Sequence, residues 1–303
     1  MPSFFQDAQS GVDLYPVEKA GFRAPQLGAS AALIAHGTRF VCPAAVTVLP
    51  TGTGKTAVLQ LLPFLWAAKR VLVITPARLV REQIANGFSS LSLLKQLGIL
   101  DSDLEPPSVH IIKNRIKSID DWEKLRAFDV VVTTPMSASP SIADVTTPPG
   151  NLFDLVLVDE AHHTPATSYT ELIDAFPDAR KAFFTATPFR RDRKRLPGKI
   201  VFKYPLRDAI ADGTYGKVEY VACTPADGEP ADVAIAKADE MEFVADRDQG
   251  LDHRLMGRTD SLTCAKELVK LYADETTLRL RPIYGSHSLG HVNSVIKKLD
   301  SGS

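Results

Sequence analysis

The sequence predicts an α/β protein built on a doubly wound parallel sheet, and three observations carry that expectation. Short continuous apolar runs recur along the chain: VTVL (46–49), VLVIT (71–75), FDVVVTT (128–134), LVLVD (155–159) and AFFTA (182–186). Segments with helical spacing fall between them. The first run leads directly into a glycine-rich turn, Thr51-Gly52-Thr53-Gly54-Lys55-Thr56, of the kind that cradles phosphate. Apolar runs without polar alternation suit strands covered on both faces, and strand–helix alternation implies parallel crossovers.

Taken in order, the helical segments are TAVLQLLPFLWAAK, where Pro63 marks a kink or a break, then ARLVREQIANGF and SYTELIDAF. The stretch SASPSIADVTTPPGN (137–151) is rich in Pro, Ser and Thr and reads as a surface loop. PLRDAIADGTYGK (205–217) reads as a helix stopped by Gly213, followed by a connector. Past it, KVEYVACTP opens a new strand and ADVAIAKADEMEFVADRDQGLDHR is charged and helical in character, which places a domain boundary near residue 215.

Composition sets the outer bounds. With 303 residues, 45% hydrophobic and 23% charged, the chain suits one large domain or two, each with a core. A net charge of −1 argues against holding nucleic acid by bulk charge, while leaving room for contacts from backbone N–H groups and hydroxyls. Cys42, Cys223 and Cys264 lie far apart with no CxxC pair, which argues against a zinc ribbon or a disulfide framework and fits a reducing cytoplasm. No apolar run is long enough to cross a membrane, and the first residues lack the basic flank and apolar stretch of a signal peptide.

The chemistry concentrates in two places. The full pattern GxxxxGK[ST] would put its first glycine at Leu49, so this loop is the shorter TGxGKT form. Its glycines let backbone N–H groups turn inward around phosphates, with the following helix N-terminus adding positive potential. Lys55 would reach the β- and γ-phosphates and the Thr56 hydroxyl would bind Mg²⁺, so a nucleoside triphosphate with Mg²⁺ is the expected ligand. The second place is FDLVLVDEAHH (153–163), a buried strand ending in Asp159-Glu160. Two carboxylates at a core strand tip are costly without a cation. Asp159 would hold the Mg²⁺, and Glu160 would orient or deprotonate the attacking water; acidic residues capping the next helix are the plainer alternative. His162 and His163 are adjacent, point different ways and have no cysteine cluster nearby, so a metal site is not expected there. FRRDRKR (189–195) packs five cations, read either as a solvated loop or, at Arg190 and Arg191, as a phosphate-tracking patch.

Together these motifs resemble superfamily 2 helicases and translocases of the DEAD/DEAH-box type, in the branch of type I and type III restriction motor subunits and excision-repair helicases. The resemblance runs from about residue 22 to 300, with the motifs in family order. It implies a RecA-like phosphate-loop NTPase domain over 1–215 and an incomplete second α/β domain, the start of another RecA-like fold, over 216–303. Phe22-Arg23-Ala24-Pro25-Gln26 resembles the Arg-x-x-Gln element, in which Gln26 would read the adenine edge beside Arg23. Thr75-Pro76-Ala77-Arg78 looks like motif Ia and Thr133-Thr134-Pro135 like motif Ib, both contacting the nucleic-acid backbone in that family. A Thr-Pro at a strand end also suggests, on its own, an exposed hydroxyl and a free helix N-terminus. Asp159-Glu160-Ala161-His162 matches motif II and Thr185-Ala186-Thr187-Pro188 motif III, with His162 linking the two.

Met256-Gly257-Arg258-Thr259-Asp260-Ser261 resembles motif IV, and Pro282-Ile283-Tyr284-Gly285-Ser286-His287-Ser288 the strand and turn after it. His253-Arg254-Leu255-Met256-Gly257-Arg258 imitates motif VI, but its spacing is one residue too long and its final arginine is absent. The stretch after 215 falls short of the roughly 150 residues of a full second domain. The arginines that such a domain supplies are therefore missing, which implies slow hydrolysis unless a partner chain or a missing C-terminal region completes the ATP cleft. The resemblance implies an ATP-dependent nucleic-acid motor core, with DNA favoured over RNA. The alternative is a nucleotide-responsive binding or regulatory module with little turnover.

Overall fold

The computed structural model describes residues 3–38, 43–164, 166–187, 196–216, 222–251, 253–284, 287 and 289–300. It divides into two compact units, Met1–Lys217 and Val218–Ser303.

The first unit is a seven-stranded sheet in which every pair is parallel. Its strands are β1 (Ala45–Val48), β2 (Val71–Ile74), β3 (Val109–Ile111), β4 (Val130–Thr133), β5 (Leu155–Val158), β6 (Arg180–Thr185) and β7 (Lys199–Lys203), in spatial order β3-β4-β2-β5-β6-β1-β7. The helices are α1 (Phe4–Asp7), α2 (Ala24–Gly37), α3 (Lys55–Leu65), α4 (Arg78–Ser90), α5 (Ser92–Gln96), α6 (Ile119–Glu123), α7 (Pro135–Ala138), α8 (Thr167–Asp174) and α9 (Leu206–Ala211).

Alternation along each strand feeds two separate cores. Val71, Val73, Val130, Val132, Leu155 and Leu157 point to one face, where they meet α2, α3 and α4 through Leu33, Leu61 and Phe88. Leu72, Ile74, Val131, Val156 and Val158 point to the other, against Trp122, Leu172 and Phe176. Both faces of the central strands are covered, and for that reason their sequences read as unbroken apolar runs. All five strands expected from sequence are present, within one or two residues at each end.

The helix opening at Lys55 stops at Leu65 rather than running to Lys69. Pro63 lies in its last turn, and Ala67 takes a left-handed φ of +47°. The loop expected over 137–151 is a loop apart from α7 at its start. Among the described residues of the first unit no helix is long and apolar enough to cross a membrane, nor is one in the second.

In the second unit, α10 (Ala231–Asp248) and α11 (Leu262–Glu275) pack together, and α12 (Leu289–Asp300) follows. Tyr272 on α11 donates its hydroxyl to Asp239 on α10, and Thr277 bonds Glu240 through both N–H and hydroxyl at 2.6 Å. Among its described residues there is no strand. Pro282–Tyr284, expected to open a strand, remains unladdered, because an extended segment becomes a strand only when a neighbour takes its N–H and C=O groups. The first residues of KVEYVACTP (217–221), and Gly285, Ser286 and Ser288, lie outside the described residues.

Candidate nucleotide site

Three adjacent strands, β5, β6 and β1, converge with their C-terminal ends together. In open parallel sheets that end is where ligands bind. After β1 comes the glycine loop, after β5 the acidic pair, and after β6 the Thr185–Thr187 turn. The loop is tied to β6 at its root, where the Leu49 N–H donates to the Thr185 carbonyl at 2.9 Å.

The loop's shape depends on its glycines. Gly52 and Gly54 sit at φ +86° and +87°, a left-handed region that costs a residue with Cβ. At Gly54 a Cβ would also lie 2.2 Å from the Gln26 side-chain nitrogen. Thr53 is buried, and its hydroxyl donates to the Pro50 carbonyl at 2.7 Å. Lys55 and Thr56 open α3; Thr56 is exposed, as are Thr51 and Gly52.

Gln26 stands behind this loop, only 4% exposed. Its carbonyl oxygen accepts the Arg23 N–H at 2.9 Å, and its amide donates to the Gly54 carbonyl at 3.4 Å. The side chain expected to read adenine is thus a brace between the start of α2 and the loop, with one amide hydrogen uncommitted. Arg23 itself is exposed.

Across the cleft, Asp159 is 6% exposed. The Lys55 ammonium lies 3.0 Å from its carboxylate and in direct contact with that of Glu160. Glu160 adopts φ +50°, an uncommon conformation for a residue with a side chain, and the strained turn turns its carboxylate back toward Lys55. The other Glu160 oxygen is 3.3 Å from His162 Nδ1, which is also 3.3 Å from the Thr185 hydroxyl. That hydroxyl donates to the Thr187 carbonyl at 3.0 Å and accepts the Thr187 N–H at 3.1 Å. A continuous polar chain therefore runs from Lys55 through Glu160, His162 and Thr185 to Thr187.

These residues fit a triphosphate with a hard divalent cation. The site already holds a cation, the Lys55 ammonium, between two carboxylates. Asp159 and the open Thr56 hydroxyl offer the oxygen donors that Mg²⁺ prefers, and it needs few from protein.

Elsewhere the geometry departs from expectation. The hydroxyls anticipated as exposed at Thr75 and Thr133 are buried. Thr75 donates to the Thr133 carbonyl at 3.2 Å, and Thr133 to the Thr134 carbonyl at 3.1 Å. Both residues end central strands flanked on each side, so their hydroxyls are covered and bond internally. Thr134, also buried, caps α7. Pro76 is half-buried, and Arg78, in the first turn of α4, is exposed. Pro188, Arg190, Arg191 and the rest of the basic FRRDRKR stretch lie outside the described residues.

One group near the acidic pair had no motif to announce it. Tyr169 on α8 is buried in the same apolar cluster as Val158 and Ala161, the residues that flank Asp159 and Glu160 in sequence. Burial first, then the charges of Asp159 and Glu160, push its phenol pKa up.

Fold and site together define a RecA-like phosphate-loop NTPase domain. The chain belongs to the type III restriction enzyme res-subunit family, among superfamily 2 helicases of restriction-motor type; the family model matches residues 21–190. A protein described as Putative helicase 22, from the Sulfolobus islandicus filamentous virus (isolate Iceland/Hveragerdi), is 35% identical over 77 residues, 24% of this chain and 14% of that protein. Among solved structures, a nuclease-deletion mutant of the Type ISP restriction-modification enzyme LlaGI, in complex with a DNA substrate mimic, aligns with a TM-score of 0.45 at 15% identity. That alignment covers 75% of this chain and 22% of LlaGI. The UvsW helicase from bacteriophage T4 aligns with a TM-score of 0.44 at 17% identity, over 65% of this chain and 66% of UvsW. The chain thus spans less than two thirds of the length of each.

Proposed function

We propose that this chain carries the ATP-binding core of a nucleic-acid motor, binding ATP with Mg²⁺ and hydrolysing it in response to nucleic acid, DNA in preference to RNA. The observation that carries the reading is the Lys55 ammonium held between Asp159 and Glu160, with Glu160 connected through His162 to Thr185.

In this reading the loop amides and Lys55 bind the β- and γ-phosphates, and Thr56 and Asp159 hold Mg²⁺. The metal supplies neutralisation of phosphate charge. Glu160 orients the attacking water and accepts its proton. His162 and Thr185 keep Glu160 in place and relate its position to the Thr187 turn, beside which strand contacts are proposed through Arg78 and the basic FRRDRKR stretch. Val218–Ser303 is proposed as the beginning of a second RecA-like unit.

The test is ATP turnover by the chain and by Glu160→Gln, with and without single- and double-stranded DNA and RNA. DNA-stimulated turnover abolished by Glu160→Gln supports the reading. Turnover is expected to be slow in this chain, so any DNA-stimulated rate that Glu160→Gln removes counts. Tight Mg–ATP binding with no such rate, even in a form carrying the second-domain arginines, would favour the regulatory module instead, and absence of nucleotide binding would end both.

A further inference from the structure

A helix packed into a domain ordinarily keeps a polar face toward solvent. The helix α3 does not: every residue from Ala57 to Phe64 is buried, Gln60 included. Part of its cover is the start of the chain. Phe5, fully buried, meets Phe64 edge to face with ring centres 4.9 Å apart, and Phe4 meets the same ring at 5.8 Å. At its C-terminal end a helix leaves carbonyls without a helical donor. Here three donors come from one segment: Gln9 Nε2 to the Leu65 carbonyl at 3.4 Å, Gln6 Nε2 to that of Ala67 at 3.2 Å, and the Ser3 hydroxyl to that of Ala68 at 2.8 Å. The segment then crosses to α5 and the turn after it. There the Asp13 N–H donates to the Ile99 carbonyl at 3.0 Å, the Lys19 ammonium to the Lys95 carbonyl at 3.0 Å and the Gly21 N–H to the Leu97 carbonyl at 3.1 Å. It ends at Gln26, which reaches the Gly54 carbonyl immediately before α3. Residues 3–26 thus grip both ends of the helix that presents Lys55 and Thr56. The 11 residues of α3 form a rod about 16 Å long, enclosed along its length, so a tie at one end bears on the position of the other.

We propose that residues 3–26 form a positioning strap for nucleotide binding, in which Ser3 and Gln6 hold the far end of α3 so that Lys55 and Thr56 stand at the phosphate site. This rests on the nucleotide-site reading above. It adds positioning residues whose bonds are to the end of α3, away from the loop and the acidic pair.

The experiment measures thermal unfolding and, well below the melting temperature, affinity for a fluorescent non-hydrolysable ATP analogue with Mg²⁺. Ser3→Ala removes one donor, and Ser3→Thr restores it. Gln6→Glu removes the donor to Ala67 but keeps the oxygen that accepts the Ser3 N–H at 3.3 Å, so the start of α1 stays capped. Ser118→Ala is the control for general destabilisation. It strips the cap of α6, where Ser118 accepts the Asp121 N–H at 3.2 Å and Trp122 packs into the core on the other face of the sheet. The expected affinity is about fivefold lower in Ser3→Ala and in Gln6→Glu, the scale of one hydrogen bond. Ser3→Thr and Ser118→Ala should bind as the parent does. Parent affinity in both Ser3→Ala and Gln6→Glu, whatever their melting temperatures, would overturn the proposal and leave the site reading intact, since the strap would then add stability alone. Equal weakening in Ser3→Thr or in Ser118→Ala would also overturn it. If Gln6→Glu does not fold, the two Ser3 variants decide. A parent chain that binds no analogue would overturn the site reading itself, and this proposal with it.

Discussion

Replacing Lys55 by methionine tests the electrostatics of the free site. The side chain is 12% exposed and is shared by Asp159 and Glu160, whose side chains are 8% and 29% exposed. Removing the ammonium leaves two adjacent carboxylates facing each other without a cation. Breaking a fully buried ion pair from one side costs about 3–5 kcal/mol, and the partial exposure of Glu160 lets water recover part of it. The expected destabilisation of the nucleotide-free protein is therefore about 2–3 kcal/mol. Urea unfolding followed by tryptophan fluorescence reads it cleanly, because the chain has two tryptophans, Trp66 and Trp122, both buried in the first unit. Millimolar Mg²⁺ should restore part of the loss in Lys55→Met and do little for the parent, whose site already contains a positive charge. A variant as stable as the parent to within about 0.5 kcal/mol, the scale of ordinary surface substitutions, would refute the reasoning.

Three other outcomes follow from the geometry. Gly54→Ala should weaken ATP-analogue binding more than Gly52→Ala: both carry the left-handed cost of about 1 kcal/mol, but only at Gly54 would the new methyl displace Gln26. Thr185→Val removes a buried hydroxyl with three partners and should cost about 1–2 kcal/mol in urea unfolding. The same variant should retain analogue affinity and lose nucleic-acid stimulation of turnover. His110, beside Phe128, has its pKa lowered by burial and then by Lys113. The unfolded chain therefore binds a proton more readily than the folded one, so stability should hold above about pH 6.5 and fall below it, and His110→Gln should flatten that slope.

The central strands were legible because burial on both faces leaves only apolar residues admissible there. The edge strands were not. β3 is three half-buried residues with His110 in the middle, and β7, KIVFK, mixes exposed lysines with partly covered apolar residues, so neither forms a continuous run. The glycine loop and Asp159-Glu160 stood out by residue type and spacing, and the structure joins them through Lys55. The brace from Gln26 to Gly54 and the inward turn of the Thr75 and Thr133 hydroxyls depend on neighbours distant in sequence. Local pattern carries no trace of those neighbours. The left-handed backbone at Glu160 is similar: glutamate has no propensity for it, and only the surrounding packing holds it there.

That strain and the sharing of Lys55 have a common consequence. In the free protein one ammonium faces two carboxylates, so the cluster is a charge short and its backbone is held away from its preferred region. A triphosphate would draw Lys55 toward a stronger anion, and a divalent cation would replace it with twice the charge, leaving Glu160 tethered to His162 alone. Because β6 lies between β5 and β1, the Thr185 hydroxyl that receives His162 is anchored to the same strand that fixes the root of the glycine loop. If the proposed nucleotide reading holds, a shift of Glu160 on binding would reach the Thr187 turn through His162. The order of the three strands, more than any single residue, makes that coupling short.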